Sequence, residues 1–172
     1  MPVGATVDEM LGRCRRSAVH LEMRDGYMLD EPNYVAWRHG HRFDLNDRKS
    51  WWHPWFELVS RSVRRGVVIR RARIVSEPVS EYIRWEHYLT PANLAAGEEV
   101  RWLPRRIATD LALPGNDFWL FDDEVLLVDH FSGDGDWVAV EQIAEPAVVR
   151  LCATSFEAVW QRALPHADYP MT

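Results

Sequence analysis

The stretch VVIRRARIVSEPVSEYIRWEHYL, residues 67–89, constrains the fold more than any other. Val67 to Val75 is rich in β-branched residues and reads as a strand. Ser76-Glu77-Pro78 then supplies a cap and a first-turn proline for a helix over about Val79–Leu89. Strand alternation puts Ile69, Arg71, Arg73 and Val75 on one face and Val68, Arg70, Ala72 and Ile74 on the other. On the helix, Val79, Tyr82, Ile83 and Leu89 define the apolar face. Glu86 falls in its middle, with His87 at its edge. A carboxylate aimed at a core is costly unless paired. Strand and helix in such a unit pack together, so Arg71 or Arg73 is the expected partner. The functional alternative places Arg73, Glu77, Arg84, Glu86 and His87 around a polar pocket at the strand's carboxyl end, where open α/β sheets bind ligands. Structural pairing is the preferred reading.

The rest of the chain builds outward from this unit. Thr6 and Glu9 form a capping box, and Val7, Leu11, Cys14, Ala18 and Leu21 follow at helical spacing, which predicts a helix through Leu21. Residues 24–50 are polar, with a short helix expected around Tyr34–Trp37. Trp51 to Val63 reads as a helix with Trp52, Trp55, Phe56, Val59 and Val63 on one face, closed by Gly66. After Leu89, Thr90-Pro91 is expected to end one helix and open a short one to Ala96. Glu99–Leu103 is a strand, Arg105–Leu111 a brief helix, and Phe118–Phe121 and Val125–Phe131 are further strands. Gly133-Asp134-Gly135 turns into a strand over Trp137–Glu141. A long last helix opens at Glu145-Pro146 and stops at Pro165. This order implies an α/β fold, a mixed sheet with flanking helices. At 172 residues the chain is expected to form a single domain, 1–172, with an N-terminal helical and loop extension over 1–50 and an α/β core over 51–165.

Charge narrows the possible partners. The net charge is −6, but residues 1–106 carry +4 and residues 107–172 carry −10. Six arginines lie between Arg61 and Arg73 with no acid among them. Such a window can contact phosphate, yet the acidic half repels a polyanion, and pairing with the chain's own carboxylates is the expected use. Direct nucleic-acid binding is not expected, because no helix-turn-helix pattern with a basic recognition helix is visible. Two cysteines, Cys14 and Cys152, build no disulfide framework. The start lacks a basic region followed by an apolar stretch, and no apolar run reaches the ~18 residues of a membrane span. A cytoplasmic domain without membrane contact is the expectation.

Chemistry-bearing motifs are sparse. His39-x-His41 near Asp44 and Asp47 has plausible metal spacing but sits in a polar loop, so no metal site and no cofactor is expected. Ser76, Asp117 and His130 are the members a triad would need, but no G-x-S-x-G elbow accompanies them. No catalytic residue is assigned.

The strings RRARIVSEPVSEYIRWEH, GEEVRWLPRR, PGNDFWLFD, HFSGDG and FEAVWQRALPH resemble a family of uncharacterised actinobacterial proteins, over about residues 15–169. Members are typically encoded beside Xre-type helix-turn-helix regulators, so the resemblance implies such a regulator as partner. Residues 98–164 are similar to effector domains of phospholipase-D-like fold used by transcriptional regulators, which implies a phospholipase-D-like half-domain. The catalytic motif of that fold is H-x-K-x4-D. Anchored on Asp122, it puts Gly115 at the His position and Asp117 at the Lys position, so the catalytic motif is missing. Lys49, the one lysine, follows Asp47 and rescues no other register. A non-catalytic regulatory or ligand-sensing module is therefore expected. The alternative is a hydrolase or nuclease using Glu77, Glu86, His87 and His130 as acid and base groups. Arg73, Arg84, Arg101 and Arg105 with Tyr82, Trp85 and Trp102 make the expected surface for a partner or an anionic small molecule, because guanidinium forks and flat aromatic faces both recognise such groups.

Overall fold

The computed structural model describes residues 6–171. Its strands are β1 (Ser17–Glu22), β2 (Val68–Val75), β3 (Glu99–Pro104), β4 (Phe118–Phe121), β5 (Val125–Phe131), β6 (Trp137–Ile143) and β7 (Leu164–Pro165). They form one sheet in the order β6-β5-β4-β1-β2-β3-β7. β1, β2 and β3 run parallel, and the other neighbours pair antiparallel. Five helices surround it: α1 (Val7–Arg13), α2 (Pro32–Arg38), α3 (Pro54–Arg64), α4 (Glu81–Ala96) and α5 (Pro146–Arg162). None of the described helices is long and apolar enough to cross a membrane.

Alternation decides which helix covers which face. Val19, Leu21, Ala72, Ile74, Phe118, Leu120 and Leu126 point one way and pack with Val149, Cys152, Phe156 and Val159 of α5. On the other face, Ala18, Ile69, Trp119 and Leu127 pack with Phe56 and Val59 of α3 and Ala92 and Ala96 of α4. An aromatic cluster of Tyr27, Tyr34, Tyr82, Trp85, Trp102 and Tyr169 covers the far end of that face.

Four expectations need correction. The helix predicted through Leu21 stops at Arg13, and Ser17–Glu22 is the middle strand of the sheet. Both faces of β1 are covered, and Ala18 and Leu21 continue the 4-3 spacing of Leu11 and Cys14, so the segment imitates a helix. For the same reason the division at residue 51 fails: the segment before it supplies the core's central strand. The break at Thr90-Pro91 is also absent, and α4 runs unbroken from Glu81 to Ala96. Buried Thr90, Ala92 and Asn93 anchor its second half, and Thr90 Oγ1 donates to the Glu86 carbonyl at 2.7 Å. That packing outweighs the roughly 3 kcal/mol an interior proline costs. The Arg105–Leu111 helix shrinks to a 3-10 turn at Arg105–Ile107.

Candidate ligand site

Register brings a polar band across the α4-covered face. His20 lies across from Arg71 on one side and Trp119 on the other, while Glu22 lies across from Arg73. Arg73 in turn faces Trp102 on β3. Asp117, one residue before β4, lies beside Asp129 of β5, whose N–H donates to the Asp117 carbonyl at 2.9 Å. Above this band runs the stripe of α4 at i, i+4 spacing: Tyr82, Glu86 and Thr90.

The buried charges are tightly paired. Arg71 donates from Nε to Glu98 at 2.6 Å and from Nη1 to Glu22 at 2.8 Å. Arg73 donates to Glu22 and to Thr90 Oγ1, the latter at 3.0 Å, and forms an ion pair with Glu86. The pairing expected for Glu86 is thus present, with Arg73. Burial alone would raise the Glu22 carboxyl, but Arg73 and Arg71 outweigh it and hold the group well below the usual carboxylate range. Glu86 goes the other way: burial raises it, and Glu22 adds to the rise against the pull of Arg73. Asp117 is raised to about 6, chiefly by burial, although it accepts hydrogen bonds from the Tyr27 hydroxyl and the Met23 N–H.

A cavity of about 210 Å³ opens over this band. Its polar wall is His20, Glu22, Glu86, Asp117 and Asp129, and its apolar wall is Tyr27, Tyr82, Phe131 and Trp137, with Met28 beside them. An adjoining cleft of about 230 Å³, which includes Arg24, shares Asp117, Asp129 and Phe131 with it. His20 is 7% exposed; its Nε2 lies 3.3 Å from Glu22, and its Nδ1 has no hydrogen-bond partner among the described residues.

Of the residues singled out from the sequence, Arg73, Tyr82, Glu86 and Asp117 belong to this site. The others are elsewhere. Glu77 accepts from the Tyr169 hydroxyl and from Arg106, both at 3.1 Å. Arg84 is exposed on α4. His87 faces His166, ring centroids 4.3 Å apart, against Trp102. Trp102 is fully buried and stacks on Tyr169. Arg101 lies over Trp160 of α5 and donates to its carbonyl at 2.9 Å. Arg105 donates to the Met23 and Ile74 carbonyls and to Ser76. Arg73, Arg101 and Arg105 of the expected anion surface thus hold carboxylates, carbonyls or a hydroxyl of the chain itself, while Arg84 stands apart on the exposed side of α4. Ser76, Asp117 and His130 do not meet either: Ser76 bonds Asp25, and His130 pairs with Glu141 at the surface. Among the described residues no group of three or more His, Cys, Asp or Glu is placed to hold a metal ion.

A family model described as a domain of unknown function, DUF6879, matches residues 5–170. The chain belongs to this family. No curated protein matches it. Solved structures similar to this DUF6879 domain include Nuc from Salmonella typhimurium, a phospholipase D family member, at 8% identity. That alignment covers 92% of this chain and 87% of Nuc, with a TM-score of 0.52. NucT from Helicobacter pylori is similar at 6% identity, with the same coverage and TM-score. TrmBL2, an archaeal chromatin protein, aligns at 13% identity and a TM-score of 0.48; the chain covers 47% of it, about half its length. The DUF6879 domain thus has the phospholipase-D-like fold. Under the motif spacing, Asp122 stands at the conserved acid's place and Asp117 at the lysine's. Asp122, at the far end of β4 from the cavity, accepts the backbone N–H groups of Arg15, Arg16 and Ser17. Burial opposes its charge, but those bonds prevail and hold its carboxyl at about 2.

Proposed function

We propose that this DUF6879 domain is a non-catalytic, ligand-sensing module whose occupied state is read by an Xre-type helix-turn-helix regulator. One observation carries the reading: the cavity over the sheet is walled by four carboxylates, of Glu22, Glu86, Asp117 and Asp129. A phosphodiester carries negative charge and is repelled by such a wall. No lysine lines the cavity to anchor a phosphate, and its one histidine, His20, is followed two residues on by Glu22, 3.3 Å from its Nε2, where the H-x-K motif needs a lysine. What remains is a small, partly enclosed site with polar and aromatic walls, the usual form of a ligand pocket. The acid and base groups of the hydrolase alternative do not converge. Glu86 is held by Arg73, His87 lies against His166, and Glu77 and His130 bond Tyr169 and Glu141 respectively.

Three measurements test the proposal. Purified protein is expected to leave bis-p-nitrophenyl phosphate intact, with and without divalent metal. In a thermal-shift screen of small metabolites, at least one is expected to stabilise the parent and to lose its effect when Tyr82 is changed to Ala. That compound should also change the affinity between the domain and the purified regulator. Turnover that disappears on changing Glu86 or Asp117 would overturn the proposal.

A further inference from the structure

We infer that the cavity takes a small organic cation bearing N–H donors, a primary ammonium or a guanidinium. This rests on the proposed ligand-sensing role and specifies the ligand class. The charges around the cavity are unequal. Glu22, Glu86 and Glu98 share only Arg71 and Arg73, and Asp117 and Asp129 add two more carboxylates at the wall. Arg24 is the remaining nearby cation; it lies in the adjoining cleft with its guanidinium 5.0 Å from the Phe131 ring centre, and its buried Nε, a donor without a partner among the described residues, belongs to that cleft rather than to the His20 wall. Three arginines against five carboxylates leave the site short of positive charge.

His20 supplies the second, independent observation. The carboxylate of Glu22 can only accept, so the His20 Nε2 facing it carries the proton. In the neutral imidazole of that tautomer Nδ1 is a lone-pair acceptor, and it is buried on the cavity wall with no donor among the described residues. For the neutral ring the missing group is a donor. An anion or an apolar ligand leaves Nδ1 unsatisfied, whereas an ammonium or guanidinium N–H completes it. The opposite wall has the matching chemistry. Tyr27, Tyr82, Phe131 and Trp137 present aromatic rings around the space, and a cation over such faces is attracted by the ring quadrupole. Trp137 Nε1 donates to Asp129 at 3.2 Å, which fixes a carboxylate beside an aromatic face at the cavity mouth.

The test titrates the full chain with n-propylammonium and methylguanidinium, and separately with tetramethylammonium, acetate and inorganic phosphate. Binding is followed by calorimetry and by the ¹⁵N shift of His20 Nδ1. The two N–H cations are expected to bind saturably and to move the Nδ1 resonance. Tetramethylammonium, which has charge but no donor, is expected to bind roughly tenfold more weakly. Asp129→Asn and, separately, Trp137→Ala should each weaken the N–H cations roughly tenfold, since each removes one charged or aromatic contact. Trp137 is half exposed, so its variant keeps the fold if Asp129→Asn does not. If phosphate or acetate binds instead and is lost in the same variants, the ligand class is wrong but the sensing site stands. If neither N–H cation moves the Nδ1 resonance at millimolar concentration and no other probe binds, the cation inference fails, and the thermal-shift screen then decides the sensing role on its own.

Discussion

Changing Asp117 to Asn tests whether the fold opposes a charge at the cavity floor. The side chain is 3% exposed, and burial lifts its carboxyl from 3.8 to about 6 against the Tyr27 hydrogen bond. That displacement corresponds to about 3 kcal/mol. The sign follows from linkage. An acid raised on folding binds its proton more tightly in the native state, so its contribution is fully present below about pH 3.8 and is lost as the pH rises through about 6. Asn carries no charge at any of these pH values and keeps an acceptor for the Met23 N–H. The stability of Asp117→Asn minus that of the parent should therefore rise by about 2 kcal/mol between roughly pH 4.5 and pH 7.5. Urea denaturation followed by tryptophan fluorescence measures it, with equal m-values required of the two proteins. Taking the difference cancels the titrations of Glu22 and Glu86, which both proteins share. A difference that stays flat with pH, or falls as pH rises, would refute the argument.

Changing Arg73 to Ala leaves Glu22 and Glu86 without their shared cation and is expected to cost about 3–5 kcal/mol in chemical denaturation. A loss below about 1 kcal/mol would mean the pair is solvated in solution. Changing Asp122 to Ala strips three backbone N–H groups of their acceptor and should cost about 2–3 kcal/mol, with faster hydrogen exchange at Arg16 and Ser17. Protection unchanged at those amides would show that the turn is held by other contacts. His166 is held at about 4, mainly by burial and then by His87 and Arg73, so its neutral form is the native one. A base lowered on folding loses its contribution as pH falls from about 6.5 to about 4, here by about 1–2 kcal/mol once its partial exposure is allowed for. His166→Asn should flatten that window, and a parallel pH profile would count against it.

How much of this was legible in the sequence depended on local contrast. Glu86 was found because a carboxylate interrupts an apolar stripe at helical period, and Arg73 because it alternates with Ala72 and Ile74 on a β-branched strand. Strands β4 and β5 were bounded correctly by turn chemistry at Asp122–Glu124 and Gly133–Gly135. His20 and Glu22 gave no such contrast. They sit in SAVHLE, a strand covered on both faces, where Ala18 and Leu21 continue the helical spacing of Leu11 and Cys14. Without β1 as a strand, the row in which Glu22 faces Arg73 and His20 faces Arg71 is not visible in the sequence. Arg101 and Trp102 show the same limit: adjacent in sequence, they point to opposite faces of β3, one to α5 and the other to the aromatic cluster. Adjacency on a strand is separation in space.

Asp117 and Asp122 flank a single four-residue strand and behave oppositely. Asp122 is wrapped by the N–H groups of three successive residues and stays charged down to about 2. Asp117 has one N–H and a tyrosine hydroxyl, lies among aromatic rings, and resists its charge up to about 6. The first carboxylate holds the turn to β1 and stabilises the fold. The second destabilises it at neutral pH, and a neutral asparagine, nearly the same size and still an acceptor for the Met23 N–H, would remove that cost. A domain that keeps a costly carboxylate on a cavity wall, next to a histidine lacking a donor, has its locally unfavourable residues gathered at one place. Departures from local optimality concentrate where a chain is shaped for something other than stability. The compensating group has to bring an N–H to His20 Nδ1, which has no partner among the described residues.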